Sequence, residues 1–185
     1  IRKIAVTGPS DNAFVEVELK GINISNNADE LGLSINYANM NIENCHFMNN
    51  HVQGIYINYS NVNIVNCYIA NNGNTSSIGG GLRIEGDNVE LSSNVLIDGC
   101  SITSNSANDG AGLFIRYSEV TIENTSITNN LAENGGGGFR ADFSTVFLDS
   151  VDINDNIAED VGGGIYLGAT NLTLASSVIS GNTGW

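Results

Sequence analysis

Proline occurs once in the chain, at Pro9, and lysine and arginine together six times against twenty aspartates and glutamates. A net charge of −14 repels phosphate backbones and anionic bilayers, so no nucleic-acid partner is expected. No apolar run approaches the roughly 20 residues that cross a bilayer as a helix, and no membrane insertion is expected. The chain opens on Ile1-Arg2-Lys3 rather than on a basic-then-apolar leader, and is expected to be a segment of a longer protein. Helical periodicity is missing too. Apolar residues alternate over three to five positions and then meet a turn, which leaves a helix no room.

Asparagine and glycine are present in excess, 29 and 22 residues. The asparagines are periodic. An apolar residue stands three positions before Asn27, Asn50, Asn72, Asn105, Asn130, Asn156 and Asn182, at spacings of 23, 22, 33, 25, 26 and 26. Between these marks recurs a glycine followed by an apolar residue: Gly32, Gly54, Gly81, Gly112, Gly138 and Gly164. A repeat this short cannot bury its apolar side alone, but a stack of such repeats can. The expected fold is therefore all-β: a right-handed parallel β-helix of about seven coils of 22–33 residues, a rod about 30 Å long at a strand spacing of roughly 4.8 Å. One domain covers 1–185, with 1–21 an incomplete first coil and 22–185 regular. The long coil absorbs outward loops near Gly73–Ile78 and Gly86–Ser93. Before the first full coil stand only Ile4–Val6 and a loop at Gly8–Asn12. No amphipathic helix covers either end, and the chain reaches Trp185 where another glycine mark would begin.

The seven asparagines are expected to stack as a structural ladder. Asparagine tolerates left-handed backbone at a tight turn and can bond amide to amide. A second turn column holds Gly21, Asn44, Asn66, Gly99, Asn124, Ser150 and Ser176. Cys45, Cys67 and Cys100 share one phase, with Thr125, Val151 and Ser177 following. They are expected inside as free thiols, although stacked positions also lie within disulfide reach. The glycine runs lack the Lys-Ser/Thr and the following helix that a phosphate loop needs.

Ile102-x-x-Asn105-x-Ala107 leads to Gly110-Ala-Gly-Leu113. Ile127-x-x-Asn130-x-Ala132 leads to Gly136-Gly-Gly-Phe139, and Ile153-x-x-Asn156-x-Ala158 to Gly162-Gly-Gly-Ile165. This paired signature resembles the polymorphic outer membrane protein repeat over residues 22–185, although only Phe47 keeps that family's phenylalanine. The resemblance implies a right-handed β-helix of surface or secreted proteins and carries no catalytic motif.

Two outward columns follow the glycine marks: Ser34, Tyr56, Arg83, Phe114, Arg140, Tyr166, and beside them Asn36, Asn58, Glu85, Arg116, Asp142, Gly168. Tyr56, Arg83, Phe114, Arg116, Arg140, Asp142 and Tyr166 are the candidate glycan-binding set, since rings and hydrogen-bonding groups suit sugars. Cross-coil sheet pairing explains the same residues without a ligand. Asp29, Glu30, Asp109, Glu133, Glu159 and Asp160 recur before the glycine marks and are candidate calcium ligands, calcium being the only cofactor considered. No catalytic residue is assigned. The expected role is an extracellular or cell-surface structural or adhesive segment, a stalk, adhesin or filament component, partnered by further coils, coaxial copies or surface glycans. The alternative is a carbohydrate-binding or polysaccharide-active module of the lyase or epimerase kind.

Overall fold

The computed structural model describes residues 3–9, 14–88 and 91–184. Most of the expected Gly8–Asn12 loop lies outside these residues, as do Val89, Glu90 and Trp185. Among the described residues there is no helix. Each coil runs through three short parallel sheets of seven strands. The first sheet holds Ile4–Thr7, Leu33–Asn36, Ile55–Asn58, Leu82–Glu85, Leu113–Arg116, Phe139–Asp142 and Ile165–Gly168. The second holds Val15–Lys20, Ala38–Glu43, Asn61–Val65, Ser93–Asp98, Ser118–Glu123, Thr145–Asp149 and Asn171–Ala175. The third holds Asn23–Ser25, His46–Met48, Tyr68–Ala70, Ser101–Thr103, Ser126–Thr128, Asp152–Asn154 and Val178–Ser180. The first coil already has all three strands, so the boundary expected after residue 21 falls inside it.

Equivalent residues stack in register. Leu33, Ile55, Leu82, Leu113 and Phe139 form one inner column and are fully buried. Each such side chain contributes about 1.5–3 kcal/mol by leaving water. From the fourth coil the cross-section widens. Ser106–Ala107, Leu131–Ala132 and Ile157–Ala158 form a small fourth sheet, and Ala107, Ala111, Ala132 and Ala158 make a separate core beneath it.

The three corners between sheets share one mechanism. At each, a residue takes positive φ, as at Asn49 (55°), Asn44 (53°) and Tyr37 (52°). That turn points two successive N–H groups toward the same neighbouring coil. A backbone carbonyl serves the first; a side chain serves the second. At the third corner Asn49 N–H donates to the Ala70 carbonyl at 3.2 Å, and Asn50 N–H to Asn72 Oδ1 at 3.1 Å. At the second, Asn44 N–H donates to the Val65 carbonyl at 3.0 Å and Cys45 N–H to Cys67 Sγ at 3.4 Å. At the first, Tyr37 N–H donates to the Asn58 carbonyl at 3.3 Å and Ala38 N–H to Ser60 Oγ at 3.1 Å.

The asparagine ladder runs from Asn27 to Asn182. The positive-φ residue at this corner is the one before each rung (Asn26, Asn49, Asn71, Ser104, Asn129, Asp155, Gly181), not the rung itself. Asn105 shows a complete rung. Its Nδ2 donates to Asn130 Oδ1 at 3.0 Å and to the Ile69 carbonyl at 3.1 Å, while its Oδ1 accepts Asn72 N–H at 3.0 Å and Asn72 Nδ2 at 3.1 Å. The glycine marks are required by close stacking of coil on coil, with the ladder amide as the second neighbour. A Cβ on Gly112 would stand 2.3 Å from the Gly138 carbonyl oxygen and 3.1 Å from Asn130 Nδ2.

All three cysteines are free and buried. They act as thiol substitutes for the serine and threonine hydroxyls elsewhere in the corner columns. Cys100 N–H donates to Thr125 Oγ1 at 3.1 Å, and Cys67 N–H to Cys100 Sγ at 3.4 Å. Val151 interrupts the column, because its side chain can accept nothing from Thr125 N–H. The Asn105→Ala variant should lose about 4 kcal/mol in urea denaturation, since it strands the buried Asn72 N–H and Ile69 carbonyl. Asn182→Ala, at a half-buried rung, should cost much less. Val151→Thr should gain up to about 1 kcal/mol by restoring the acceptor.

Candidate functional site

The first sheet brings the candidate glycan residues together. Register places Tyr56, Arg83, Phe114, Arg140 and Tyr166 in one outward column, and Asn58, Glu85, Arg116, Asp142 and Gly168 in the next. These groups engage chiefly one another. The Glu85 side chain, 7% exposed, stands 2.9 Å from Arg83 Nη2 and 2.9 Å from Arg116 Nη2, and accepts the Tyr56 hydroxyl at 3.3 Å. The Arg116 contact is ionic rather than an aligned hydrogen bond, and Arg83 Nε has no hydrogen-bond partner. Arg140 donates from Nε to Asp142 at 2.8 Å and from Nη1 to Asp109 at 2.8 Å. Its guanidinium lies over the Tyr166 ring, 4.8 Å from the centroid, as that of Arg83 lies over Tyr56 at 5.3 Å.

Phe114 corrects the sequence expectation. It is 5% exposed, set in its column between Arg83 and Arg140, and offers no stacking surface. Asp142 is likewise buried and committed to Arg140. The face is a cross-coil ion-pair network. Glu85→Ala should cost about 2 kcal/mol in urea denaturation, less than a fully buried pair because its arginines are partly exposed. Arg116→Ala, whose side chain is 44% exposed, should cost under about 1 kcal/mol.

The candidate calcium ligands are not gathered. Asp109 is held by Arg140, and Glu30 pairs with Lys3 at 3.3 Å. Asp29, Glu133, Glu159 and Asp160 are exposed loop residues. Among the described residues no group of three or more His, Cys, Asp or Glu converges on a metal-sized space.

The first corner holds a feature that sequence reasoning missed. Tyr37, Tyr59, Tyr117 and Phe143 occupy its positive-φ position, at 52°, 47°, 49° and 52°. Each stands one residue after the second outward column, a phase visible in the sequence. A left-handed conformation costs an ordinary residue roughly 1–2 kcal/mol. The other two corners fill that position with Asn, Gly, Ser or Asp, of which Gly, and to a lesser degree Asn and Asp, tolerate it most readily. The rings stack in pairs. Tyr37 and Tyr59 lie 5.1 Å apart at 26°, and Tyr117 and Phe143 5.1 Å apart at 13°. Each stack returns about 0.5–1.5 kcal/mol, less than two strained residues cost. An open groove runs along this corner past Tyr117, Phe143 and Ala169, with Glu119, Thr145 and Asn171 beside it.

A family model described as a right-handed β-helix region matches residues 4–105 and 80–184. The chain belongs to the right-handed β-helix family. No curated protein and no solved structure matches it. Within this right-handed β-helix, the titrating groups with shifted acidity belong to the stack. Burial pushes the Cys45 thiol up. Contact with Cys100 and then burial push up Cys67, and Cys100 is lowered by the same contact. These two thiols are 3% and 4% exposed. Burial, then Glu85, raises the Tyr56 phenol. Burial, then a hydrogen bond to Asp87, raises that of Tyr59 from 10.0 to about 12.

A raised pKa favours the protonated group in the folded state. The stability from Cys45 and Tyr59 is therefore complete below their ordinary values of 9.0 and 10.0 and is lost as pH climbs toward the folded ones. The melting temperature should fall between about pH 8 and about pH 11. Tyr59→Phe should flatten the upper part of that fall.

Proposed function

We propose that this right-handed β-helix is a rigid rod segment of an extracellular or cell-surface protein, serving as a stalk, adhesin or filament component, and that its coils are polymorphic outer membrane protein-type repeats. The observation that carries the rod reading is the unbroken stack, three parallel sheets each running strand to strand through seven coils. On the surface of the seventh coil Leu174 and Ile179 are 49% and 46% exposed, while Leu148 and Ile153, their equivalents one coil before, are fully buried. Asn182 presents the N–H that lower rungs donate to the next Oδ1. That surface is chemically an interior floor of the stack. It would accept the end coil of a coaxial copy.

The repeat assignment is supported by the alanine core. Ala107, Ala132 and Ala158, two residues beyond each asparagine rung, stack under the fourth sheet against Ala111. The Asn-x-Ala and glycine halves of the signature are thus one packing unit. The acidic, cation-poor surface and this resemblance favour a location outside the cell. As a polysaccharide-active module the first-sheet face is poorly equipped, because its arginines are already paired with carboxylates.

Residues 1–185 in solution should associate reversibly as concentration rises, measured as mass by light scattering. The double variant Leu174→Lys, Ile179→Lys should abolish association and keep the melting temperature within a few degrees. A wild-type chain that stays strictly monomeric at high concentration would contradict the coaxial reading.

A further inference from the structure

The aromatic corner differs from the other two corners in a way that folding does not require. All three use a positive-φ residue in most coils, although Gly86 closes the first corner of the fourth coil without one, and the other two corners use small or polar residues. Ala169 occupies the first-corner position of the seventh coil at φ 49°, so an aromatic ring is dispensable there. Tyr117 and Phe143 nevertheless accept the strain, and their rings lie parallel, stacked along the rod axis. The stack then stops. At the level of Ala169, where a third ring would lie, there is only a methyl group. Phe143 is left 54% exposed. The vacated ring position opens into the groove described above.

The polar groups beside this position come from the second sheet. Glu119, Thr145 and Asn171 pair in register and form a single outward column, so they line the groove at successive coil spacings of roughly 4.8 Å. All three are exposed. Together they offer a carboxylate acceptor, a hydroxyl, and an amide that both donates and accepts. Among the described residues no lysine, arginine or histidine lines the groove.

We propose that this corner binds a neutral polysaccharide, with one pyranose ring seated on Phe143 above Ala169 in the place of the missing aromatic. The ring's C–H face presents a weakly positive surface to the negative face of the phenyl group. Its hydroxyls reach sideways to Glu119, Thr145 and Asn171. A uronic-acid polymer is excluded by Glu119, by the missing cation and by the net charge of −14. The site is separate from the first-sheet face, whose polar groups are paired among themselves. It also does not depend on coaxial assembly, since the groove lies on the side of the rod.

Substitution of Ala169 separates binding from folding. Ala169→Phe completes the stack at a backbone conformation that Phe143 already accepts, so the melting temperature should hold or rise. The same substitution fills the sugar's place. The full chain is titrated by calorimetry with neutral hexasaccharides (β-1,4-glucan, β-1,4-mannan, β-1,3-glucan and α-1,4-glucan) and with polygalacturonate. The wild type should bind at least one neutral hexasaccharide and bind it in preference to polygalacturonate. Ala169→Phe should weaken that binding at least tenfold. Phe143→Ala should weaken it to the same extent and decides the question should Ala169→Phe fail to fold. Tyr37→Ala, at the far end of the same corner, should leave affinity unchanged. Wild-type chain that binds none of the four, that prefers polygalacturonate, or that is matched in affinity by Ala169→Phe would overturn the proposal.

Discussion

Each corner of the coil turns two consecutive amide groups toward one neighbour that has a single backbone carbonyl to offer. The rest of the structure depends on how that second amide is satisfied. An unpaired buried N–H costs about 1–3 kcal/mol, and the chain makes about three corners in each of seven coils. The solution is a side chain borrowed from the adjacent coil: Asn at the third corner, Cys or a hydroxyl at the second, Ser or Thr at the first. Because every rung serves a different coil from its own, no coil is complete alone. Stacking is then a condition of polar satisfaction as well as of hydrophobic burial.

This explains why chemically unlike residues occupy equivalent places. Cys67 and Thr125 share a column because thiol and hydroxyl can both accept one N–H and donate to the carbonyl two residues back, as in Cys67 to Val65 at 3.3 Å and Thr125 to Glu123 at 2.7 Å. The glycine marks follow from the closeness of the stack, because a Cβ there would meet first the carbonyl oxygen of the glycine one coil on and then the Asn amide. Polar side chains inside the stack are largely committed to holding it together, and those on the first sheet are largely committed to each other. The aromatic corner is the place where residues exceed what the fold demands, and so it is where a ligand is proposed.

The repeat, the three-strand coil, the asparagine column and the inward phase of the cysteines were all legible in the sequence, because a period-two pattern broken at fixed intervals has one economical solution. The outward columns were legible for the same reason: in-register stacking turns sequence phase into position. Burial was not. Phe114 occupies an outward position, yet neighbouring side chains close over it, and alternation alone cannot report that. Pairing was not legible either. Asp109 lies far from Arg140 in sequence, and the two meet because the widened later coils bring the glycine-mark turns beside the first sheet. The aromatic corner escaped notice because Tyr37, Tyr59, Tyr117 and Phe143 read as ordinary strand residues. Their left-handed backbone appears only in the structure.

Native-state hydrogen exchange at the corners tests the corner mechanism most directly. The N–H groups of Asn72, Asn105 and Asn130 bond to side chains rather than to strand carbonyls. If those ladders hold the coils together, these amides exchange only with global unfolding, at the same free energy as sheet amides such as Ile84 and Ile115. Corner amides that exchange rapidly by local opening, while the sheet amides stay protected, would contradict it and leave hydrophobic stacking and the sheet hydrogen bonds as the sources of cohesion.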